Sequence, residues 1–214
     1  MIGILPASGK AERLKGIPKF AIPTMNNETL IQRHVRMMRD HVDSIKICTT
    51  KDWFRLIETL CPNIELIELE SSTMNHAVKV LGTSDSIIGM PDTFYKGENP
   101  YKELSKINDD IGVALWKCPT NLRGRVGQVN IKDNKIINMS DKNPMCDYPF
   151  VWGAMKLSKD AINSLDPNTS HPGICLPTLI DKFSHSTCVI DGEYIDCGTP
   201  EGIRDMLMSD SDMI

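Results

Sequence analysis

Apolar positions in the first ninety residues alternate between two spacings. Runs of apolar and β-branched residues at 2–5, 45–49 and 86–90 are typical of buried strands, and residues 64–69 alternate apolar with acidic side chains, as a half-exposed strand does. Between these runs, apolar residues recur every three or four positions at 30–38, 53–60 and 74–81, which predicts three helices. Repeated strand–helix units of this kind predict a largely parallel sheet with helices on both faces.

The second half of the chain is less regular. Its apolar runs predict strands at 111–116, 126–131, 135–137, 150–156 and 187–190 and short helices at 158–165 and 174–183. Another helix begins at Thr199-Pro200-Glu201, where a capping hydroxyl precedes a first-turn proline and an acid. We therefore expect one α/β domain over residues 1–214, a three-layer α/β/α sandwich around a mixed, mostly parallel sheet, with a frayed tail at 209–214.

The composition is that of a globular protein. Hydrophobic residues make up 41% of the 214 residues and charged residues 24%, which allows a sizeable core. The net charge of −4 argues against nucleic-acid binding, and no apolar run approaches the roughly 20 residues that span a bilayer. The apolar N-terminus lacks a basic leader and predicts a strand, not a signal peptide. Seven scattered cysteines without a C-x-x-C pair are typical of reduced thiols, so we expect a cytoplasmic protein.

Three segments fall at the carboxyl ends of predicted strands, the edge at which open α/β sheets bind ligands. They are the loop after the first strand, Asp92 after the fourth, and Asp196 after a late strand at 194–195. The loop contains small residues whose backbone N–H groups can approach phosphate oxygens, and Arg13 and Lys19 can neutralise a triphosphate. It is neither a Walker A loop nor a G-x-G-x-x-G fingerprint, and taken alone it favours an ordinary strand-to-helix connection.

Several motifs in order along the chain resemble those of the sugar nucleotidyltransferase family. Residues 5–14 with Pro18-Lys19 are similar to the family's L-x-A-G-x-G-T-R-L…P-K signature, and residues 89–93 resemble its strand that ends in a metal-binding aspartate. Residues 140–144 resemble its E-K-P segment, Trp152-Gly153 its glycine strand beside the sugar, and residues 194–200 its W-x-D-x-G-T-P motif. The matches span residues 2 to about 207, nearly the whole chain.

The resemblance implies a GT-A-like fold in which residues 1–95 bind an NTP and residues 96–208 bind a phosphorylated acceptor. It implies a transfer in which a sugar 1-phosphate attacks the α-phosphorus of the NTP and pyrophosphate leaves. The family pattern assigns Mg²⁺ to Asp92 and Asp196, a set that suits the preference of Mg²⁺ for one or two carboxylates plus phosphates. It assigns the pyrophosphate to Arg13, the transferring phosphoryl group to Lys19 and the acceptor's phosphate to Lys142.

The resemblance also implies two sets of binding residues. The nucleotide set is Pro6, Ala7, Ser8, Gly9, Lys10, Arg13, Lys19, Thr73 and Asn75, and the acceptor set is Gly127, Asp141, Lys142, Trp152 and Gly153. Two of these segments also have structural interpretations. Capping of a helix by Ser72 or Thr73 explains residues 72–75 as well as a base contact does, and Gly127 fits a β-bulge. Ala11 and Glu12 stand where the family has Gly and Thr. Alanine lacks the backbone freedom of glycine, and an acid beside a triphosphate is unfavourable, so both changes bear on how the loop would bind phosphate.

Alternative functions remain open at this point. The acceptor of a cytidylyltransferase can be choline phosphate or a polyol phosphate, a glycosyltransferase uses a similar sheet, and a regulatory homologue binds nucleotide without catalysis. Outside the motifs, we expect His34 and His41 to form a helix face and Asp210 to be a solvated acid of the tail. The base, the acceptor and the oligomeric state are not determined by the sequence.

Overall fold

The structure of the protein is a computed structural model that describes residues 1–9, 14–70 and 73–211. The strands in these residues are β1 (Ile2–Pro6), β2 (Ser44–Thr49), β3 (Glu65–Glu68), β4 (Ser86–Ile88), β5 (Thr93–Gly97), β6 (Ile111–Lys117), β7 (Gly127–Lys132), β8 (Lys135–Asp141), β9 (Phe150–Leu157), β10 (His185–Val189) and β11 (Gly192–Asp196). The α-helices are α1 (Leu30–Met38), α2 (Lys51–Leu60), α3 (Met74–Leu81), α4 (Pro100–Ser105), α5 (Lys159–Asn163), α6 (Pro172–Ile180) and α7 (Pro200–Ser211).

A large mixed sheet forms the centre of the molecule. Its strand order is β10-β6-β9-β4-β1-β2-β3, and β7 pairs with β9 and β8 with β7. The neighbours β4, β1, β2 and β3 are mutually parallel, as are β6 and β10, whereas β9 is antiparallel to β4, β6 and β7. All strands of this sheet except β8 and β9 therefore run in one direction, which confirms the expected mixed, mostly parallel sheet.

Helices cover both faces of the large sheet. Along β1, Leu5 packs with Val35 of α1 and Ile57 of α2, while Ile4 faces the other side and packs with Val78 of α3. Alternation of neighbouring strand residues between two buried faces is what a sheet between two helical layers requires. The three-layer α/β/α arrangement is confirmed.

A small second sheet was not expected from the sequence. Strands β5 and β11 pair antiparallel apart from the large sheet, with Asp196 opposite Thr93. The buried ring of Tyr95 in β5 stacks on Trp116 of β6, with 4.6 Å between ring centroids. This aromatic contact attaches the small sheet to the large one.

The C-terminal segment is a correction to the sequence analysis. Helix α7 continues to Ser211, so residues 209–211 are helical and not frayed, while residues 212–214 lie outside the described part of the chain. Asp210 is fully buried, and its Oδ2 accepts a 2.6 Å hydrogen bond from the N–H of Met25. The carboxylate has this partner because the helix packs against the turn at Met25, which the sequence alone does not reveal.

His34 lies on the buried face of α1. Its ring is buried, with Nδ1 in contact with the hydroxyl of Tyr101 and Nε2 at 2.8 Å from the carbonyl oxygen of Thr93. Because that carbonyl is an acceptor, Nε2 carries the proton.

No helix in the described residues is both long enough and apolar enough to cross a bilayer.

Candidate functional site

A cavity of about 720 Å³ opens where β1 and β4 end. Most of the residues that the sequence analysis assigned to substrate or metal line it: Pro6, Ala7, Ser8, Gly9, Lys19, Thr73, Asp92, Gly127, Asp141, Lys142, Trp152 and Asp196. Lys10 and Arg13 lie outside the described residues. Segments that are far apart in sequence therefore meet at the expected edge of the sheet.

Asp92 and Asp196 lie side by side at the start of β5 and the end of β11. The N–H of Cys197 donates a 3.1 Å hydrogen bond to the carbonyl of Asp92, and Oδ1 of Asp196 accepts one of 2.8 Å from Gly198. We expected Asp196 at the end of a strand of the parallel sheet. It ends a strand of the small sheet instead, and the antiparallel pairing with β5 brings it to Asp92.

The two aspartates fit a Mg²⁺ site that phosphates complete. Among residues 1–9, 14–70 and 73–211, no three His, Cys, Asp or Glu side chains gather into a ready-made metal cage. Mg²⁺ is commonly held by one or two carboxylates together with substrate phosphates and water. A pair of half-buried carboxylates on the wall of an open cavity provides such a donor set.

Lys19 reaches the same place from the loop before α1. It begins a short 3-10 turn, Lys19–Ala21, whose Phe20 is buried and meets Trp53 edge to face. The ammonium of Lys19 lies 3.0 Å from Oδ2 of Asp92, and both side chains retain partial contact with solvent. The buried Phe20 thus anchors the turn that holds the ammonium of Lys19 beside the carboxylates.

The loop after β1 offers fewer backbone donors than its small residues suggest. The N–H of Ala7 donates to the carbonyl of Cys48 in β2, so this donor is not available to a phosphate. The space beside Gly9 is open, and a methyl group there would touch nothing within 4 Å among the described residues. Ser8 and Gly9 are therefore the described positions at which a phosphate can approach the backbone.

Thr73 and Asn75 do not both face the cavity. Thr73 caps α3 by accepting from the N–H of His76 and also lines the cavity, so the cap interpretation is confirmed. Asn75 is fully buried, and its Nδ2 donates to the carbonyl of Asp166 at 2.9 Å. Asn75 does not line the cavity, because its side chain points from α3 into the segment that joins α5 to α6, and its assignment to the nucleotide stays a prediction.

Gly127 and Gly153 each accommodate an aromatic ring. A Cβ on Gly127 would lie 2.1 Å from Nε1 of Trp152, whereas the bulge of β7 falls at Asn130, so the bulge interpretation of Gly127 is wrong. A Cβ on Gly153 would lie 2.7 Å from the ring of Trp116. Gly153 does not line the cavity and faces the rings of Trp116 and Tyr194, and its assignment to the acceptor stays a prediction.

Lys142 and Asp141 end β8 at the cavity. Lys142 has a left-handed backbone, φ 48°, and its N–H donates to the carbonyl of Val126, which turns the chain at the strand end. The Lys142 side chain is exposed. Asp141 lies opposite Gly127 in the β7–β8 ladder, close to the ring of Trp152.

Three polar cavity residues, Arg125, Ser170 and His171, were missed by the sequence analysis. His171 precedes α6, and its Nε2 lies 3.6 Å from Oδ2 of Asp141. This histidine lowers the pKa of Asp141, with Lys142 contributing at longer range, so the carboxylate stays ionised. No motif marks His171, and only the helix start at Pro172 hints at its position.

No protein-family model matches the chain, and a search of curated proteins finds no relative. The fold nevertheless matches solved structures over nearly its full length. A Bacillus anthracis protein assigned as a glucose-1-phosphate thymidylyltransferase, in complex with sucrose, superposes with a TM-score of 0.85 at 15% identity, covering 99% of this chain and 96% of that one. A UDP-glucose pyrophosphorylase in complex with UDP-glucose gives 0.78 at 16% identity, covering 100% and 99%.

A third structure, the UTP-bound UGPase of Acinetobacter baumannii, gives a TM-score of 0.74 at 15% identity, covering 97% of this chain and 92% of that one. The match extends through the large sheet and the cavity-bearing segments, since almost no part of either chain is left out. The chain has the nucleotidyltransferase fold.

Proposed function

We propose that the protein is a Mg²⁺-dependent nucleotidyltransferase that joins an NTP to a sugar 1-phosphate and releases pyrophosphate. The observation that carries this proposal is the meeting of Asp92, Asp196 and Lys19 in one cavity that Lys142 also lines. Neighbours of the same fold support it, since one is bound to UDP-glucose and another to UTP. A cavity of about 720 Å³ is within the range of small-molecule sites.

The reaction is a substitution at the α-phosphorus of the NTP. A phosphate oxygen of the acceptor forms the new P–O bond, the bond from the α-phosphorus to the oxygen that bridges to the β-phosphorus breaks, and pyrophosphate leaves with that electron pair. Such chemistry needs positioning and charge stabilisation more than covalent participation by the protein. Asp92 and Asp196 would hold Mg²⁺, which would neutralise the charge of the phosphates.

The remaining roles fall to cationic side chains and to the loop after β1. Lys19 stabilises the charge that develops on the transferring phosphoryl group, and Lys142 holds the phosphate of the acceptor. Arg13 holds the departing pyrophosphate, and the backbone of Ser8 and Gly9 contacts the triphosphate. Thr73 borders the nucleotide at the start of α3.

We place the reaction in the cytoplasm. The structure contains seven cysteines, all of them unpaired, and most of them are buried. Unpaired thiols in this number are typical of proteins kept in a reducing compartment.

The test is pyrophosphate release measured over a matrix of NTPs and phosphorylated acceptors, with Mg²⁺ and with EDTA. We expect one NTP and one sugar 1-phosphate to give release that depends on Mg²⁺. Absence of release from every pair, in protein that binds an NTP by thermal shift, would contradict the proposal and favour a nucleotide-binding regulatory role.

A further inference from the structure

The acceptor side of the cavity contains a cluster of Asp141, His171 and Trp152. The imidazole of His171 contacts Oδ2 of Asp141 at 3.6 Å, and its ring lies over Trp152 with 5.6 Å between the centroids and a tilt of 36°. One histidine therefore touches both the carboxylate and the indole. The three residues come from the end of β8, from the start of α6 and from β9, so the large sheet and α6 fix the cluster together.

Trp152 has no open ring face for a ligand. A Cβ on Gly127 would lie 2.1 Å from its Nε1 and a Cβ on Gly173 2.4 Å from its Cζ2, so the chain backbone presses on the indole at both glycines. His171 covers more of the ring, and only 5% of Trp152 is exposed. The other described aromatic residues of the cavity, Phe20 and Tyr194, are also buried and pack on tryptophans.

Closed aromatic faces exclude one way of binding an acceptor. A quaternary ammonium group is recognised by the open faces of aromatic rings, which form a cage around the cation. The described part of this cavity does not offer such a cage. A phosphorylated choline would leave its head group beside Asp141 without the aromatic contacts that normally stabilise it.

Asp141 is suited to a different head group. Its side chain is 23% exposed, it lines the cavity, and an ionised carboxylate accepts hydrogen bonds without donating any. A hydroxyl group donates to such an oxygen, and hydrogen bonds to charged groups are stronger than those between neutral groups. The charged or titratable groups that act on Asp141 are His171 and Lys142.

We propose that His171 determines which acceptor this cavity takes, by holding Asp141 ready for hydroxyl groups and by closing the face of Trp152 to cationic head groups. The inference rests on the proposed function in one respect, namely that the ligand bound here is the acceptor of the reaction. His171 is a positioning residue here, because it acts on the ligand through Asp141 and Trp152.

Binding is measured by isothermal titration calorimetry, which does not require turnover. The ligands are glucose 1-phosphate, glycerol 3-phosphate, phosphocholine and inorganic phosphate, each with a non-hydrolysable NTP and Mg²⁺ present. We expect at least one hydroxyl-bearing phosphate to bind about tenfold more tightly than phosphocholine, which corresponds to about 1.4 kcal/mol. Equal or tighter binding of phosphocholine would overturn the proposal.

Two variants separate the two contacts of His171. His171→Phe keeps a ring over Trp152 and removes the partner of Asp141, and Asp141→Asn removes the charge at nearly constant shape. We expect both to weaken the hydroxyl-bearing ligand about five- to tenfold while leaving inorganic phosphate within about twofold. The control is His41→Phe, outside the cavity, for which we expect no change. If the two variants weaken the hydroxyl-bearing ligand and inorganic phosphate to the same extent, His171 and Asp141 have a general structural role, which would contradict the proposal.

The pH dependence of ligand binding distinguishes the effect of His171 on Asp141 from a mere loss of packing. Because His171 lowers the pKa of Asp141, binding of the hydroxyl-bearing ligand persists to lower pH in the wild type than in His171→Phe. We expect the acid limb of the binding curve to move to higher pH in the variant. Coincident acid limbs would overturn the role of His171. Selective binding without pyrophosphate release would support this inference and contradict the proposed function. Mg²⁺-dependent release from an NTP and a sugar 1-phosphate, with the affinity for that acceptor unchanged in His171→Phe, would support the proposed function and contradict this inference.

Discussion

The ammonium nitrogen of Lys19 lies 3.0 Å from Oδ2 of Asp92. In our proposal Asp92 is also a ligand of Mg²⁺, so the lysine and the metal ion compete for one carboxylate. When an NTP enters, its phosphates give Lys19 another anionic partner and release Asp92 to the ion. Cation and nucleotide should therefore bind cooperatively, since each favours the same arrangement of Lys19.

Lys19→Met is expected to raise the affinity of the nucleotide-free protein for Mn²⁺, used as a spectroscopic substitute for Mg²⁺. The reason is that the variant removes a cation in contact with the metal ligand, and the expected gain is about tenfold. Electron paramagnetic resonance of free Mn²⁺ measures it directly. Lys142→Met is the matched control, because Lys142 lines the same cavity and forms no ion pair with Asp92 in the described residues. If both variants raise the affinity for Mn²⁺ equally, the cause is the lower positive charge of the cavity and not competition between Lys19 and the ion at Asp92.

Asp92→Asn is expected to lower turnover by roughly 100- to 1,000-fold with the fold intact. The side chain is 36% exposed and its ion-pair partner is Lys19, so the change removes the proposed metal ligand and no core packing. Pyrophosphate release gives the rate and thermal unfolding the stability. Asp191→Asn, on an exposed residue before β11, serves as the control. Turnover within tenfold of wild type in Asp92→Asn would disprove the metal assignment.

The burial of His34 predicts a stability that depends on pH. Desolvation lowers its pKa from 6.5 to about 4, so the folded protein keeps the ring neutral while the unfolded chain takes up a proton below pH 6.5. The unfolded state binds more protons in this window, and stability therefore rises with pH between about 4 and 6.5. The contribution is about 3 kcal/mol in the free energy of unfolding.

Urea unfolding of wild type and His34→Gln at pH 4.5 to 7 measures this contribution. Glutamine retains a donor for the carbonyl of Thr93 and does not titrate, so we expect a flatter curve in the variant. Parallel curves for the two proteins would show that His34 does not carry the pH dependence.

The C-terminal turn of α7 is expected to contribute to stability through Asp210. Asp210→Ala removes the acceptor of the N–H of Met25 and of the side-chain amide of Asn26, which costs about 1–3 kcal/mol in the free energy of unfolding. Chemical denaturation provides the measurement. Asp205→Ala on the same helix is the control, because Asp205 is half-exposed and pairs only locally with its neighbour Arg204. Equal stabilities of the two variants would mean that the contact at Met25 contributes nothing.

Local patterns predicted more of the fold than of the site. Buried runs such as residues 2–5 and 45–49 identified strands because hydrophobic periodicity is set by neighbouring residues. The strand β5 and helix α4 were missed, since a short segment of this kind shows no repeated period. Tyr95 explains why the segment is nevertheless ordered, because its ring stacks on Trp116 from another part of the chain.

By itself, the sequence determined the alternating elements, the mostly parallel sheet and the place of Asp92 directly after a strand, while Lys19 and Lys142 were singled out by their match to the family motifs. These features depend on a few residues at a time, and the fold rules for parallel sheets bring strand ends to one edge. Only the tertiary structure decided that β11 pairs with β5 and delivers Asp196 to Asp92, and that His171 meets Asp141 over Trp152. The same holds for the burial of His34, Asn75 and Asp210. Such contacts join segments that are far apart in sequence, and they exist only once the strand order and the helix packing have brought those segments together.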